Sequence, residues 1–240
     1  SWEAPGLMVT LLTPTGGRPE AFALLERWIE RQTYRGELQW IVIDDCIPQT
    51  RLTLGQDHLY PVPIWQPGQN TQARNLKAAL PFIKGEFVLF IEDDDYYAPP
   101  YIAEMVRRLA QAQFVGECGT VFYNVRYRSW YANPNRSSAS LFQMGFRVQP
   151  STAEQIANVL GTRGYIDAEL CARCRRQLRM FPRHIPALSI GIKGLPGREG
   201  IGSGHYPHDL FKPDPQLSIL RKWIGVDAEQ YAAFHKPKRR

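Results

Sequence analysis

The sequence predicts an α/β fold, an open and mostly parallel sheet flanked by helices, and three observations predict it. Short apolar runs at Leu7 to Leu12, Trp40 to Ile43 and Phe87 to Ile91 are too brief for buried helices and read as buried strands. Between the first two, Glu20 to Gln32 repeats Phe22, Leu25, Trp28 and Ile29 at helical spacing, which makes a β-α-β unit with parallel strands and a right-handed crossover. Each run also stops abruptly in polar residues, and an open parallel sheet binds ligands outside the carboxyl ends of its strands, near the point where strand order reverses.

In chain order, strand one ends in Thr13-Pro14-Thr15-Gly16-Gly17-Arg18-Pro19, which must be a loop, and Gly36 marks the stop of the first helix. Strand two ends in Asp44-Asp45. The proline-rich His58 to Pro67 stretch holds a short third strand. Asn70 to Ile83 follows as a helix with Leu76, Ala79, Leu80 and Ile83 on one side, kinked or ended by Pro81. After the third apolar run, Pro99 or Pro100 opens a helix that turns Ile102, Met105, Val106 and Leu109 inward, and the strand and helix pattern continues to residue 125. A helix from Glu169 to Phe181 places Leu170, Cys174, Leu178 and Phe181 on one face and Arg175, Arg176 and Arg179 on the other. Ile185 to Ile192 reads as a strand, and six glycines between Gly191 and Gly204 read as a mobile loop. Asp214 to Arg240 reads as one or two helices with a basic end.

No repeat or low-complexity tract divides the chain, so it is expected to form one domain over 1–240. Within it, a first half over about 1–125, a second over about 126–213 with the glycine-rich loop, and a helical basic tail over about 214–240 are expected. The four cysteines make a poor disulfide framework, and Cys171 and Cys174 fall on the apolar side of a helix, where core packing accounts for them better than zinc. The sequence shows no secretory signal and no apolar run of about 18 residues, so a soluble cytoplasmic protein without a membrane span is expected. A net charge of +6 and a pI near 9.2 favour an anionic partner.

The chemistry concentrates at Glu92-Asp93-Asp94-Asp95. Four adjacent carboxylates at a strand mouth repel one another and call for a cation, and hard oxygen ligands suit Mg²⁺ or Mn²⁺. A solvated acidic turn is the other reading. The same rim gathers the first loop and Asp44-Asp45. The first loop, Thr13-Pro14-Thr15, with its backbone amides and the Arg18 side chain is placed to meet a base or phosphate, and an aspartate of the second loop to accept from a base N–H.

The first strand and loop, Ile41 to Asp45, Ala73-Arg74-Asn75, Glu92 to Asp95 with Pro99, and Ile166-Asp167-Ala168-Glu169-Leu170-Cys171-Ala172-Arg173 occur in the order of a known pattern. From about Met8 to Arg176 the chain resembles the family-2-like glycosyltransferases of the GT-A fold, which implies that about 1–125 is the nucleotide-binding half and about 126–213 the acceptor half. The resemblance implies that Asp45 reads uracil, that Arg74 lies near the nucleotide, that Asp93 sits at the ribose side, and that Asp94 and Asp95 face a divalent metal. It implies an inverting transfer from a UDP-linked sugar, with Asp167 as general base and Glu169 as runner-up or as a first-turn acid. Some GT-A enzymes supply a histidine to the metal from the glycine-rich segment, which points to His205, with His208 in reserve. The arginine face of Arg175, Arg176 and Arg179 reads equally as an acceptor-phosphate contact or a solvated surface. With the basic tail, it resembles small phage-type transferases that glycosylate hydroxymethylpyrimidines in DNA, in the host cytoplasm. A glycan or lipid-linked saccharide is the alternative acceptor, and a non-catalytic nucleic-acid-binding module the alternative of another class.

Overall fold

The computed structural model describes residues 7–54, 57–161, 165–200, 205 and 208–236. The first strand, β1 (Val9–Thr15), leads into α1 (Pro19–Glu30), which has proline in its first turn, where no backbone N–H is required. Then come β2 (Leu38–Asp44), β3 (Asp57–Pro61) and α2 (Gln72–Ala79). Helix α2 is shorter than expected, because Pro81 turns Leu80–Phe82 into a 3₁₀ turn. The chain continues through β4 (Phe87–Phe90), β5 (Tyr96–Tyr97), α3 (Tyr101–Leu109), β6 (Phe114–Cys118), β7 (Val121–Asn124), β8 (Ser129–Ala132) and β9 (Met144–Arg147). It closes with α4 (Pro150–Val159), α5 (Ile166–Arg173), β10 (Leu178–Pro182), β11 (Ser189–Lys193), β12 (Lys212–Pro213), α6 (Ser218–Ile224) and a run of 3₁₀ turns over Gly225–Phe234.

The central sheet has seven strands in the order β10-β6-β9-β4-β1-β2-β3. Strand β1 is parallel to both β2 and β4, β2 to β3 and β6 to β10, while β9 runs antiparallel between β4 and β6. Strand order reverses between β1 and β4, so their following loops part there and leave room for a ligand. Successive side chains alternate between the two faces. Leu11, Val42 and Leu89 pack toward α1 and α3, and Leu12, Ile41, Val88 and Phe90 pack toward α2 and α4. Phe22 of α1 stacks on Trp40 of β2 at 5.6 Å.

A second sheet, β12-β8-β7-β11-β5, was not legible in the sequence. Strand β5 begins directly after the four acids, so the chain crosses from one sheet to the other through them. Strand β11 pairs antiparallel with β5 and parallel with β7, and is shorter than the expected Ile185 to Ile192 strand. Ile185 is exposed. The expected helix to Phe181 also differs. Helix α5 ends at Arg173, and Leu178–Pro182 pairs in parallel with β6 as an edge strand. Leu178 and Met180 join one apolar cluster and Phe181 the other, an alternation that suits a strand and that helical spacing had mimicked. Among the described residues no helix is long and apolar enough to cross a membrane. The expected basic end, Pro237 to Arg240, lies outside the described residues, as do positions 201–204 of the glycine-rich loop.

Buried Gln32 ties α1 to α3: its side-chain oxygen accepts from the Ile102 N–H at 3.0 Å, and its amide donates to the Trp28 and Ala98 carbonyls, each at 2.9 Å. Helix α3 has no side-chain cap of its own, so Gln32 satisfies an otherwise orphaned first-turn donor. Gln32→Leu is expected to cost about 1–3 kcal/mol by leaving these groups unpaired. Urea unfolding should show a lower midpoint with an unchanged slope.

Candidate active site

The four acids between β4 and β5 have unlike surroundings. Asp93 accepts from the Thr15 hydroxyl at 2.8 Å and from Arg18 Nη1 at 2.8 Å. The other arm of Arg18, Nη2, lies 3.1 Å from Asp94 Oδ2. Lys193, at the end of β11, places Nζ 3.7 Å from Asp94 and 3.5 Å from Asp95. Glu92 accepts from the Gln72 side chain at the start of α2. Asp95 is turned away from solvent at 1 % exposure: Oδ1 accepts from the Ile192 N–H at 2.9 Å, and buried Oδ2 has no hydrogen-bond partner among the described residues.

These surroundings separate the protonation states. Burial pushes the Glu92 carboxyl up to about 7 and raises Asp95 well above the usual range. Burial acts the same way on Asp94, but Arg18 and then Lys193 outweigh it and hold that carboxyl down at about 2. Burial opposes the charge on Lys193, yet Asp94, Asp95 and Glu92 together keep the ammonium charged. His205 is pulled down to about 4 by burial and then by Lys193, so its imidazole is neutral at ordinary pH.

Glu92, Asp93 and Asp94 face a cavity of about 620 Å³, together with Pro14, Thr15, Arg18, Lys193 and His205. Asp95, expected at the metal, does not line it: its Oδ1 accepts from the Ile192 N–H of β11 and from Lys193. Thr13 is likewise turned into the sheet, where its hydroxyl accepts from the Trp40 indole at 2.9 Å. His205 reaches the cavity and Asn124 donates to its carbonyl. His208 instead packs edge-on against Tyr131 and Phe211 in a second, smaller depression.

Another wall is built around Asp45. Its Oδ2 accepts from Thr71, from Asn75 at 2.9 Å and from Arg74 at 3.4 Å; its Oδ1 accepts from Arg198 at 2.7 Å. Burial raises this carboxyl, but the donors from Thr71, Asn75 and Arg198 bring it below the usual range. Arg74 also donates to the Pro63 carbonyl and stands behind the wall rather than in it. Gly16 is required here, because a side chain would collide with the Asp45 carboxylate. Asp44, Asp45 and Cys46 offer ligand atoms within 4.8 Å of one another, although the Asp44 carboxylate already accepts from the N–H groups of Cys46 and Thr50.

Across the cavity, Asp167 sits in the first turn of α5, accepting from the Ala168 N–H at 2.8 Å. Burial raises its pKa above the ordinary aspartate value, against the pull of that N–H and of Lys193. Glu169 does not line the cavity; it pairs with Arg173 at 2.8 Å on the helix surface, one turn away. Arg175 and Arg176 lie in the exposed turn after α5, while Arg179 on the edge strand donates to Gln111 and covers the Phe181 ring. None of the three lines the cavity, so the expected arginine face beside Asp167 is not formed.

A family model described as "Glycosyl transferase family 2" matches residues 21–172, well over half of the chain. The chain belongs to glycosyl transferase family 2. Among solved structures it is similar to S. aureus TarS, with TM-score 0.53 and 15% identity over 78% of this chain and 37% of that one. It is also similar to S. aureus TarS 1-349 in complex with UDP-GlcNAc, with TM-score 0.52 and 14% identity over 84% and 62%. The mannosyltransferase PcManGT from Pyrobaculum calidifontis, in complex with GDP-Man and Mn²⁺, gives TM-score 0.51 and 18% identity over 75% and 56%. The chain thus spans between about a third and two thirds of these proteins, and at such identities they show the GT-A-like fold. A search of curated protein sequences gives no match.

The family segment contains Asp45, the acid loop and Asp167, whereas Lys193, Arg198 and His205 lie beyond it. Lys193 and Arg198 escaped sequence reasoning because their partners stand about 100 and 150 residues earlier. Trp65 and Gln72 were also missed; an indole in a proline-rich stretch and a glutamine at a helix start have no distinguishing pattern.

The acid loop gives a direct test of its charge balance. Arg18→Met leaves Asp93 and Asp94 without their nearest cation at a side chain only 10% exposed, so it is expected to cost about 3–5 kcal/mol at pH 7. Asp94 stabilises the parent above its unfolded pKa and loses that contribution as pH falls toward about 2. The deficit of the variant should therefore narrow below about pH 4, which denaturant melts across pH would show.

Proposed function

We propose that this chain moves a sugar from a nucleoside diphosphate sugar, UDP-linked, to a hydroxyl acceptor with inversion. The observation that supports this most is that a raised-pKa Asp167 and a deeply ionised Asp94 line one cavity with Arg18 and Lys193. Its neighbours were solved with UDP, UDP-GlcNAc and GDP-Man. In this reading the nucleobase lies toward Asp45 and Trp65, and the diphosphate beside Arg18 and Lys193, whose charges face the cavity. Pro14 and Thr15 form its floor.

One neighbour was solved with Mn²⁺. An ionised carboxylate at Asp94 and a neutral imidazole at His205 are donors that suit Mn²⁺, and Mg²⁺ less well, so these residues fit a divalent ion and would hold it. Such an ion would neutralise the diphosphate as it leaves. Asp93, held by Thr15 and Arg18, stands on the ribose side. Asp167 takes the acceptor proton as the acceptor oxygen attacks the anomeric carbon, and its raised pKa makes it a stronger base than an ordinary aspartate.

For the acceptor, a saccharide hydroxyl is the reading we favour over a hydroxymethylpyrimidine in DNA. The three arginines that motivated DNA lie away from the cavity, while the aromatic side chains of Tyr165, 68% exposed and two residues before Asp167, and Phe122 line it and suit a sugar ring.

Asp167→Asn should lower transfer by about 10²–10⁴-fold with donor binding retained. In the parent, the acid limb of the rate profile should lie above the usual aspartate range, with activity falling as Asp167 takes up its proton. Unaltered turnover in the variant would exclude Asp167 as the base. Asp94→Ala should remove Mn²⁺-dependent UDP affinity in calorimetry without lowering the melting temperature by more than a few degrees. Simple glycosides should accept sugar better than hydroxymethylated DNA, and salt should have little effect on acceptor binding; a steep fall with salt would restore the DNA reading.

A further inference from the structure

The contact between Arg198 and Asp45 has a use beyond stability. Trp65 is fixed beside Asp45: its N–H donates to the Asp45 carbonyl at 2.7 Å, and its indole donates to the Gln69 carbonyl at 3.0 Å. The Arg198 guanidinium lies over that indole, 5.0 Å from the ring centroid, while Nη1 donates to Asp45 Oδ1. A flat group that stacks on an aromatic ring and gives an N–H to a carboxylate presents what a nucleobase would present at the same place.

The hydrogen bonds of Asp45 make the overlap specific. Oδ2 is taken by Thr71, Asn75 and Arg74, all from the start of α2 and the residue before it. Arg198 is the strong donor on Oδ1, with the Cys46 thiol a long 3.9 Å away. Asp45 is fully buried and does not reach the cavity surface, whereas Arg198 does. A base N–H therefore meets Oδ1 only after Arg198 leaves it.

The segment that holds Arg198 is clipped to the first loop. The Arg198 N–H donates to the Gly17 carbonyl at 3.0 Å, joining it to the first loop. Gly194 and Gly197, both just before Arg198 in the chain, have φ of +83° and +100°, a region that favours glycine, and a side chain at Gly197 would collide with the Gly17 carbonyl. Among the described residues the Arg198 guanidinium touches Asp45, Trp65 and, at 3.8 Å, the Cys46 sulfur, and the side chain is 23% exposed and faces the cavity.

We propose that Arg198 is a nucleobase surrogate: it occupies Asp45 and Trp65 when no nucleotide is bound and competes with the base for them. This rests on the nucleotide-site reading above. Its consequence has a definite sign, because removing a competitor strengthens base binding while removing a base ligand weakens it. Uridine is the suitable probe, since it lacks the phosphates that the Arg198 charge would attract.

Calorimetric titration of uridine into the parent, Arg198→Ala, Arg198→Lys and Asp45→Asn, each confirmed folded by thermal melting, decides the matter. Arg198→Ala should lower the uridine Kd about tenfold, the equivalent of losing one charged hydrogen bond of about 1.4 kcal/mol. UDP should gain less, because the lost positive charge offsets part of the effect. Arg198→Lys, which keeps the charge without the flat stacking face, should fall between parent and alanine for uridine. Equal or weaker uridine binding by Arg198→Ala, with Asp45→Asn still impaired, overturns the surrogate while leaving the base pocket in place. Uridine binding that Asp45→Asn does not change overturns both the surrogate and the pocket.

Discussion

The structure depends on neutralising four consecutive acids where the chain crosses between two sheets. Glu92 to Asp95 join β4 of the central sheet to β5 of the second, and carboxylates so placed would force the sheets apart without fixed cations. Arg18 arrives from the loop after β1 and Lys193 from the end of β11, so each sheet contributes one cation. The result is a graded set: Asp94 strongly ionised, Glu92 balanced near neutrality, and Asp95 withdrawn into the protein. A single acidic run thereby supplies both a cavity-facing carboxylate and an internal strut.

That arrangement explains why the cavity stands where it does. The reversal of strand order between β1 and β4 separates their loops, and the second sheet closes the far side by bringing β11 against β5. Helix α5 then presents Asp167 from across the opening. Polar groups from separate stretches of chain share one space, and the acids between β4 and β5 draw their partners from the loop after β1, the start of α2 and the end of β11. The Asp45 wall follows the same logic with α2 and the segment around Arg198. The segment matched to glycosyl transferase family 2 contains Asp45, the acid loop and Asp167, while the cations Arg18, Lys193 and Arg198 lie outside it on either side.

The sequence by itself determined the strands β1, β2 and β4, the helices α1 and α3, and the placing of the acids at a strand end, because those elements rest on local periodicity and on abrupt changes of polarity. It also singled out Asp45, Asp94 and Asp167, and the structure brings Asp94 and Asp167 to one cavity with Asp45 just behind its wall. Only the tertiary structure decided that Asp95 and Thr13 point inward, that Glu169 pairs with Arg173, and that Arg179 lies on an edge strand rather than a helix. Spacing of Leu170, Cys174, Leu178 and Phe181 satisfies a helix until pairing with β6 claims the last two, and no local signal reports that pairing. Lys193 and Arg198 were invisible for the same reason: a cation is assigned to an acid by the sheet that carries it there, and charge acts through distance in space, not along the chain.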